Sequence, residues 1–408
     1  MNTLETALAP LPRLAVVLSH PTQYYSPWFR WLAEHTDLDF RVFYLWEFGV
    51  QPMRDPQFGT TFAWDVDLLS GYAHEFVPNI ARDPGTHRFG GLRNPELPER
   101  LAAWQPDALL LFGYKHPSHL SAIFWARERR VPLIFRGDSH FLGRSPPRGL
   151  KRFLLRLLFR QFAAVTYVGA ANRDYFTALG VPAPRLFFAP HAVDDGHFDP
   201  ADHGHIESAN TLRQALGLSP STRVVLFAGK LVPAKQPRAL LESFLAIRAP
   251  NTALVFVGDG DQKTALQARA AGAAPGTVHF LPFANQSEMP ARYLLADLFV
   301  LPSSGIYETW GLAVNEAMHM GVPCLVSDRV GCQRDLVTDG ETGWVFRADK
   351  RDALAERLRV ALAALAVPET RIHIRAAVRT RVSGYSFERA AEGLRAALAS
   401  IPARHHAS

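Results

Sequence analysis

The chain has 408 residues, of which 48% are hydrophobic and 20% charged, and its formal net charge is +6. A chain of this length is longer than a single domain with one hydrophobic core usually is, so two domains of roughly 200 residues each are expected. The two cysteines cannot form a disulfide scaffold and lie outside any metal-ligand spacing, which favours a reducing compartment. No apolar run reaches the ~20 residues that cross a bilayer, and residues 1–13 lack the features of a signal peptide.

The first half of the chain alternates short apolar runs with helical patterns. Such alternation indicates βαβ units and a parallel sheet. The pattern fades between Asp194 and Asn210, a stretch rich in Asp, His and Gly, and we predict a linker there. A helix is predicted around 28–35, and strands are predicted at 14–18, 40–45, 108–112, 132–135 and 164–168.

The alternation restarts after this linker. Two such halves predict an α/β protein with two doubly wound domains that face a central cleft. Ligands of these sheets bind at the carboxyl ends of the strands, so the loops that follow the strands are the candidate sites. The second half has predicted strands at 223–228, 252–257, 277–281, 296–303 and 323–327.

The segment after the predicted strand 296–303 carries two glutamates, Glu308 and Glu316, with seven residues between them. A strand that turns into a helix leaves free backbone N–H groups, which form an anion site together with the helix dipole. We expect Glu308 in the loop and Glu316 about two turns into the helix. Two acceptors beside an anion site suit a nucleotide-sugar, whereas a helix cap and a solvated helix residue are the structural alternative.

A second loop carries two lysines, Lys230 and Lys235, directly after the predicted strand 223–228. Gly229 allows the backbone to turn tightly there. Two ammonium groups at the carboxyl end of a strand can neutralise a diphosphate and stabilise the charge that develops when it leaves. Two solvated loop lysines are the alternative, since lysine is mostly exposed in proteins.

Further motifs follow in order along the second half. After the two lysines come Val-Gly-Asp-Gly at 257–260, Ala-Asp-Leu-Phe-Val-Leu-Pro-Ser at 296–303, the paired glutamates with Glu-Ala-Met at 316–318, Gly-Val-Pro-Cys-Leu-Val-Ser-Asp at 321–328 and Asp-Gly-Glu-Thr-Gly at 339–343. With these motifs, the region from about Val224 to Phe346 resembles the nucleotide-sugar-binding domain of retaining family-four glycosyltransferases. The resemblance implies the GT-B fold of that family, in which two Rossmann-like domains face a cleft.

The resemblance implies a role for each residue of the two loops. Lys230 and Lys235 would hold the donor diphosphate, while Glu308 would contact the sugar hydroxyls. Glu316 would accept hydrogen bonds from the nucleotide ribose. His140, together with Lys235 and Glu308, is a candidate catalytic residue. The turn whose backbone N–H groups would approach the donor consists of Thr309, Trp310, Gly311 and Leu312.

Three positions depart from the family pattern. The family commonly has arginine in place of Lys230 and phenylalanine or a similar residue in place of Trp310. Where it often has two glycines and a glutamate, this chain reads Gly-Cys-Gln-Arg-Asp at 331–335. The role of this last loop is therefore left open.

The first half matches the family less tightly, as an acceptor-binding half would. The segment 190–194, Pro-His-Ala-Val-Asp, resembles the hinge of the family. It predicts a first, acceptor-binding domain of residues 1–195 and a donor-binding domain of residues 196–383. The resemblance also implies that a C-terminal helix at about 384–400 crosses back onto the first domain.

The loop 19–27, Ser-His-Pro-Thr-Gln-Tyr-Tyr-Ser-Pro, resembles that of a bacterial subgroup of the family. It is expected to face the cleft, so His20, Gln23 and Tyr24 are candidate contacts of the acceptor or the donor sugar. A structural turn fixed by two prolines is the alternative. His140 and Asp138 follow the strand that ends near a sugar-contacting histidine in the family, although a lone histidine is often structural.

Residues 144–160 include six basic side chains and no acidic one. Arginines at every fourth position from 148 to 160 predict a basic amphipathic helix. Residues 144–162 could contact an anionic membrane, but we favour packing of the apolar face on the first sheet because the following strand needs a cover. The apolar face consists of Phe153, Leu154, Leu157, Leu158 and Phe162.

The pair Asp65 and Asp67 has the Asp-x-Asp spacing of a metal site, but it lacks a strand-end context. We therefore expect no metal site there, and the resemblance implies an enzyme that needs no metal or other cofactor. The function that the resemblance implies is retaining transfer of a sugar from a nucleoside-diphosphate donor to a hydroxyl acceptor. The resemblance to a bacterial subgroup and the basic helix place it in bacterial surface polysaccharide, lipopolysaccharide or glycolipid synthesis. The alternatives are a sugar-nucleotide epimerase or hydrolase, a phosphorylase, and a non-catalytic nucleotide-sugar-binding subunit.

A cytoplasmic location is expected, with peripheral contact at the inner membrane face if the acceptor is lipid-linked. No nucleic-acid partner is expected. The non-catalytic alternative predicts loss of the lysines or glutamates, and all four are present.

Overall fold

The computed structural model describes residues 12–51, 53–54, 61–305 and 308–401, so residues 1–11 of the predicted first domain lie outside it. The predicted apolar runs of the first half form buried parallel strands, because both faces of the sheet are covered. In chain order the first half contains β1 (Leu14–Leu18), α1 (Tyr25–His35), β2 (Phe40–Tyr44), β3 (Met53–Arg54), β4 (Thr61–Phe62), β5 (His74–Phe76), α2 (Leu97–Trp104), β6 (Ala108–Phe112), α3 (Pro117–Glu128), β7 (Leu133–Arg136), α4 (Gly149–Phe159), β8 (Ala164–Tyr167), α5 (Ala170–Ala178) and β9 (Leu186–Phe188).

The first sheet has the parallel order β5-β2-β1-β6-β7-β8-β9, and β3 and β4 form a separate antiparallel pair. Helices α2 to α5 cover one face, where Phe135 of β7 packs against Phe159, Phe162 and Phe176. The sheet reverses its strand order between β1 and β6, which opens a crevice at their carboxyl ends.

The second half forms a six-stranded parallel sheet with the order β12-β11-β10-β13-β14-β15. The confirmed architecture is thus the predicted α/β arrangement of two doubly wound sheets. In chain order the elements are α6 (His203–Ala215), β10 (Arg223–Ala228), α7 (Pro237–Ile247), β11 (Thr252–Val257), α8 (Lys263–Ala270), β12 (Val278–Leu281), α9 (Met289–Leu294), β13 (Leu298–Leu301), α10 (Leu312–His319), β14 (Cys324–Ser327), α11 (Gln333–Leu336), β15 (Gly343–Phe346), α12 (Ala353–Ala366), α13 (Pro368–Val382) and α14 (Phe387–Ala399).

The strands β10 and β13 are neighbours at the point where the second sheet reverses its order. The loops that carry the lysines and the glutamates therefore leave the same edge of the sheet side by side. This edge faces the first domain, and several hydrogen bonds cross between the two, such as the one from Asn285 Nδ2 to the carbonyl oxygen of Ala63 at 2.8 Å.

Helix α14 lies on the first sheet although it follows the second one in the chain. Phe387, Leu394 and Leu398 are buried in the core formed by β1, β2 and α1. Gly393 lies so close to β9 that a Cβ atom on it would be 1.9 Å from the carbonyl oxygen of Phe188. The domain boundaries at 195 and 383 stay predictions.

One prediction of local structure is wrong in part, and several short strands were missed. The stretch 194–210 is only partly a linker, because α6 begins at His203, where Asp202 caps the helix by accepting from the backbone N–H of His205 at 2.9 Å. The strands β5, β9 and β15 were not predicted. They are three or four residues long, and β5 and β9 are half-buried strands at the two edges of their sheet.

The packing predicted for residues 144–162 is wrong for most of the apolar face. Helix α4 packs on the first sheet through Leu155, Leu158 and Phe159, and Phe162 follows it into the core. Apolar side chains also occupy the opposite face of this helix, and only one face can meet the sheet. The outward apolar side chains are Leu150, Phe153, Leu154 and Leu157.

None of the helices in the described part of the chain is both long and apolar enough to cross a membrane.

Candidate functional site

The loops after β10 and β13 bring Lys235 and Glu308 together. Lys235 Nζ forms an ion pair with Glu308 Oε2, and Ser303 Oγ donates to the same oxygen at 2.8 Å. The loops are also joined by their backbones, since Ser304 N donates to the carbonyl oxygen of Ala234 at 2.9 Å. Glu308 is buried and Lys235 is about a quarter exposed (24%), so the pair lies at the floor of the cleft.

Lys230 lies on the same loop as Lys235, immediately after β10. The loop is held in place by the next strand end, where Leu231 N donates to the carbonyl oxygen of Asp259 at 2.8 Å. Asp259 belongs to the Val-Gly-Asp-Gly motif after β11, and its carboxylate pairs with Lys263 at 2.8 Å. This motif therefore supports the loop that carries the two lysines. That loop lies at the same edge of the second sheet as the loop that carries Glu308.

The loop after β14, whose role was left open, holds the turn that follows Glu308. Gly331 N donates to the carbonyl oxygen of Glu308 at 3.2 Å, and Cys332 N donates to that of Trp310 at 2.9 Å. A Cβ atom on Gly331 would lie 1.9 Å from the carbonyl oxygen of Thr309, so only glycine fits. Gly331 therefore permits a close backbone approach, whereas Cys332 is a buried core residue.

The turn ends where α10 begins at Leu312. Gly311 has φ of +101°, a left-handed conformation that L side chains rarely adopt. The Trp310 side chain is buried and donates through Nε1 to Asn315 Oδ1 at 2.8 Å. Its side chain therefore points into the core, and only its backbone is available to a ligand. The first N–H groups of a helix lack intrahelical partners, so the start of α10 suits an anion.

Glu316 lies just over one turn into α10, rather than two, because the helix begins at Leu312. Its carboxylate is buried and receives three hydrogen bonds: Tyr293 OH at 2.6 Å to Oε2, and Tyr24 OH at 3.0 Å and Gln286 Nε2 at 3.4 Å to Oε1. Burial raises the pKa of Glu316, and these hydrogen bonds oppose that rise. Tyr24 is the contact from the first domain.

Asp138 and His140 also reach the donor loop from the first domain. Asp138 Oδ2 accepts from Thr309 Oγ1 at 2.7 Å and lies 3.5 Å from His191 Nε2 in the predicted hinge. His140 is buried; its Nδ1 accepts from Leu142 N at 3.0 Å, so its Nε2 carries the proton and donates to the carbonyl oxygen of Glu308 at 3.1 Å. Burial lowers the pKa of His140 and keeps the ring neutral.

Two residues predicted to contact the ligand, His20 and Gln23, lie away from the two glutamates. His20 packs edge-on against Trp46 and Phe48, with ring centroids 5.6 and 5.4 Å away, and burial lowers its pKa to about 4. Gln23 is half-buried in the loop before α1, next to Tyr24. Among the described residues, neither is brought into contact with the two glutamates.

The Asp65 and Asp67 carboxylates serve the fold. Asp65 accepts from the backbone N–H of Ser287 at 3.2 Å and so joins the two domains. Asp67 accepts from the backbone N–H groups of Leu69 and Ser70, which lower its pKa to about 2. Within the described ranges, no three His, Cys, Asp or Glu side chains are grouped in a way that could hold a metal ion.

Three residues of the site were missed from the sequence. Ser303 ends the motif before the glutamates, so its place beside Glu308 could have been inferred from the turn. Gln286 and Tyr293 precede β13, and no local pattern marks them, since each meets Glu316 only in the folded chain.

Comparisons with known proteins cover both halves. The family described as glycosyl transferases group 1 matches residues 208–379, and the glycosyl transferase 4-like domain matches residues 15–191. A D-inositol 3-phosphate glycosyltransferase of Actinosynnema mirum is 30% identical over 355 residues, which cover 76% of this chain and 79% of the relative. The chain belongs to the group 1 glycosyltransferases.

This glycosyltransferase is also 30% identical, over 303 residues, to a GDP-mannose-dependent alpha-(1-6)-phosphatidylinositol monomannoside mannosyltransferase of Mycobacterium tuberculosis, with 72% of this chain and 74% of the relative covered. Its fold is similar to that of Anabaena Alr3699/HepE, crystallised with UDP and glucose, with a TM-score of 0.70, 17% identity, and 96% of this chain and 100% of the other covered. The fold is therefore GT-B, as the sequence resemblance implied.

Proposed function

We propose that this glycosyltransferase moves a sugar from a nucleoside-diphosphate donor to a hydroxyl acceptor, with retention at the anomeric carbon. The observation that carries the proposal is the pairing of Lys235 with Glu308 beside the start of α10. A cation, an acceptor and free N–H groups stand at one strand edge, which is the arrangement that a sugar diphosphate needs.

Each part of the donor has a partner in this arrangement. The diphosphate would lie against Lys230, Lys235 and the N–H groups at the start of α10. The sugar hydroxyls would donate to Glu308, and the ribose hydroxyls would donate to Glu316. A ribose hydroxyl at Glu316 Oε1 would take the acceptor position that Tyr24 OH now uses.

The reaction would break the bond between the anomeric carbon and the diphosphate oxygen, and would form one to the acceptor oxygen on the same face. The leaving diphosphate accepts the acceptor's proton, so no covalent protein nucleophile is required. Lys230 and Lys235 stabilise the charge on the leaving group. Because these side chains supply the positive charge, we propose that transfer needs no resident metal or other cofactor. A transfer rate that EDTA leaves unchanged would support this point.

We propose that His140, the candidate catalytic histidine, is instead a positioning residue. His140 donates to the backbone of Glu308, and Asp138 holds the hydroxyl of Thr309. Both contacts set the donor turn relative to the first domain, so closure of the cleft would complete the site and exclude water.

The acceptor is proposed to be a lipid-linked hydroxyl compound, used in surface polysaccharide, lipopolysaccharide or glycolipid synthesis. The enzyme would work in the cytoplasm and contact the inner face of the membrane through residues 144–162. The support is the similarity to a relative named for phosphatidylinositol monomannoside. The donor class has similar support, since one relative is named for GDP-mannose and a protein of similar fold was crystallised with UDP.

The proposal is tested by calorimetry with a panel of nucleoside-diphosphate sugars, followed by NMR of the anomeric proton of the product. Binding of one sugar nucleotide and retained anomeric configuration are expected. Conversion of the donor at the full rate without any acceptor would instead indicate an epimerase or hydrolase. Tight binding without turnover, across a panel of acceptors, would indicate a binding subunit.

A further inference from the structure

Helix α4 presents an outward apolar ridge to solvent. The residues of this ridge are spaced three or four apart, so they share one face of the helix. This face is opposite the one through which Leu155, Leu158 and Phe159 pack on the first sheet. Grouped exposed apolar side chains mark interaction sites, whereas single ones are ordinary. The apolar ridge consists of Leu150 (71% exposed), Phe153 (62%), Leu154 (52%) and Leu157 (46%).

Basic side chains flank the apolar ridge. No acidic residue occurs from 144 to 162, so the positive charge of this segment is not balanced within it. In the described part of the chain, none of these basic side chains forms an ion pair with an acid from another element. The flanking basic residues are Arg148, Lys151, Arg152, Arg156 and Arg160.

A groove of about 650 Å³ lies at the C-terminal end of α4. It is lined by residues that precede β7, β8 and β9, so it opens at the amino edge of the first sheet, away from the donor loops. Four guanidinium groups line it, and among the described residues none of them has a hydrogen-bonding or ion-pairing partner. Their planar donor forks match phosphate oxygens. The four are Arg127, Arg130, Arg160 and Arg185.

We propose that the apolar ridge and the arginine groove form one docking surface for an anionic phospholipid membrane. The ridge would enter the interface between headgroups and acyl chains, and the groove would bind the phosphate of an anionic headgroup. Apolar side chains on one helix face with flanking arginines are the features of an interfacial helix. Each basic residue near an anionic surface strengthens binding by about fivefold. Arg160 joins the two parts, since it ends α4 and lines the groove.

This docking surface would orient the cleft. The loop from β7 to α4 carries Asp138 and His140, and Arg144 of that loop donates to the carbonyl oxygen of His140 at 2.8 Å. The N-terminal end of α4 is therefore tied to the cleft, and a docked helix would hold the cleft beside the lipid surface. The inference specifies the membrane contact of the proposed function, but vesicle binding requires neither donor nor turnover.

The test is flotation of the full chain with vesicles of phosphatidylcholine, alone or with phosphatidylglycerol added. The ridge variant replaces Leu150, Phe153, Leu154 and Leu157 with Gln, which keeps helix propensity. The control replaces four equally exposed apolar side chains elsewhere, Ile80 (67%), Val360 (48%), Val367 (47%) and Ile372 (69%), with Gln.

We expect the wild type and the control to float with the anionic vesicles only. The ridge variant should bind at least about tenfold more weakly. A groove variant, with Gln at 127, 130, 160 and 185, should bind at least about 100-fold more weakly, because each lost arginine weakens binding by about fivefold. A wild type that fails to float, or a ridge variant that binds as the control does, would overturn the proposal. Unchanged nucleotide binding by the ridge variant would show that its donor site is intact.

A second measurement does not depend on the folding of the multiple variants. Both native cysteines, Cys324 and Cys332, are fully buried, so a cysteine introduced on the surface can be labelled selectively. A polarity-sensitive dye at Phe153→Cys should shift to the blue on anionic vesicles, whereas the same dye at Ile372→Cys should not. Equal shifts at both positions, or none at Phe153→Cys, would contradict the proposed surface.

Discussion

Replacement of Lys235 by Met tests the donor site through stability as well as activity. Among the described residues, the change leaves the Ser303 hydroxyl as the remaining donor to Glu308 Oε2. The Glu308 side chain is only 10% exposed, whereas that of Lys235 is 24% exposed. Removal of one partner from a fully buried pair costs about 3–5 kcal/mol, and the partial exposure of Lys235 reduces the expected loss to about 2 kcal/mol.

A double-mutant cycle separates the ion pair from other effects. We expect Glu308→Gln to lose less stability than Lys235→Met, because no charge is left unpaired beside Ser303. The double variant should unfold at nearly the same denaturant concentration as Glu308→Gln, with a coupling energy of at least about 1 kcal/mol. Denaturation followed by tryptophan fluorescence measures these differences.

The same variants are assayed for sugar transfer with the donor that the nucleotide panel identifies. All three should lose transfer by about 100-fold or more, since each removes a charged contact to the donor. Stability losses that add within about 0.5 kcal/mol would refute the role of the ion pair in the fold. Near-normal turnover by Lys235→Met or Glu308→Gln would refute the donor site itself.

The remaining predictions concern the two ends of this site. Tyr293→Phe should weaken nucleotide binding in calorimetry by about tenfold, because Glu316 loses a hydrogen-bond donor that orients it. Tyr24→Phe should bind the nucleotide at least as tightly as the wild type does. Weaker binding by Tyr24→Phe than by Tyr293→Phe would contradict the ribose role of Glu316. Burial raises the pKa of Glu316 above 4.5, so this carboxylate gains a proton, and nucleotide-sugar affinity should fall, already as the pH drops towards 4.5. Glu316→Gln should bind the nucleotide-sugar weakly and without this pH dependence. Gly331→Ala should reduce the rate of sugar transfer by about 100-fold, since the added Cβ atom would displace the donor turn. Gly272→Ala should leave the rate unchanged, since a Cβ atom there would have no other atom within 4 Å.

The long strands of both sheets were predictable because they are buried on both faces. A strand such as β10 or β11 is therefore an uninterrupted apolar run, and the alternation of such runs with helices identifies a parallel sheet. The order of these strands then placed Lys235 and Glu308 at one edge. The strand β9 was missed because its side chains are only half-buried at the rim of the sheet.

The contacts that complete the site depend on residues far apart in the chain. Tyr24 and Glu316 are 292 positions apart, and nothing in either segment indicates the other. Helix α4 shows a related limit: periodicity predicts an amphipathic helix, but it does not decide which of two apolar faces meets the sheet. Helix α6 lies in a polar stretch that resembles a linker, and its Asp202 cap is one of the few local signals for it.

Helix α14 has a consequence for the order in which the chain folds during synthesis. The first sheet is made from the first half of the chain, but Phe387, Leu394 and Leu398 cover one of its faces. These side chains leave the ribosome last, so the part of that face that α1 does not cover stays exposed while the entire second sheet is being synthesised. Nascent chains generally fold domain by domain from the N-terminus, and here the first domain must wait for the last helix. Chains arrested before α14 should therefore be targets for chaperones that bind exposed apolar surface.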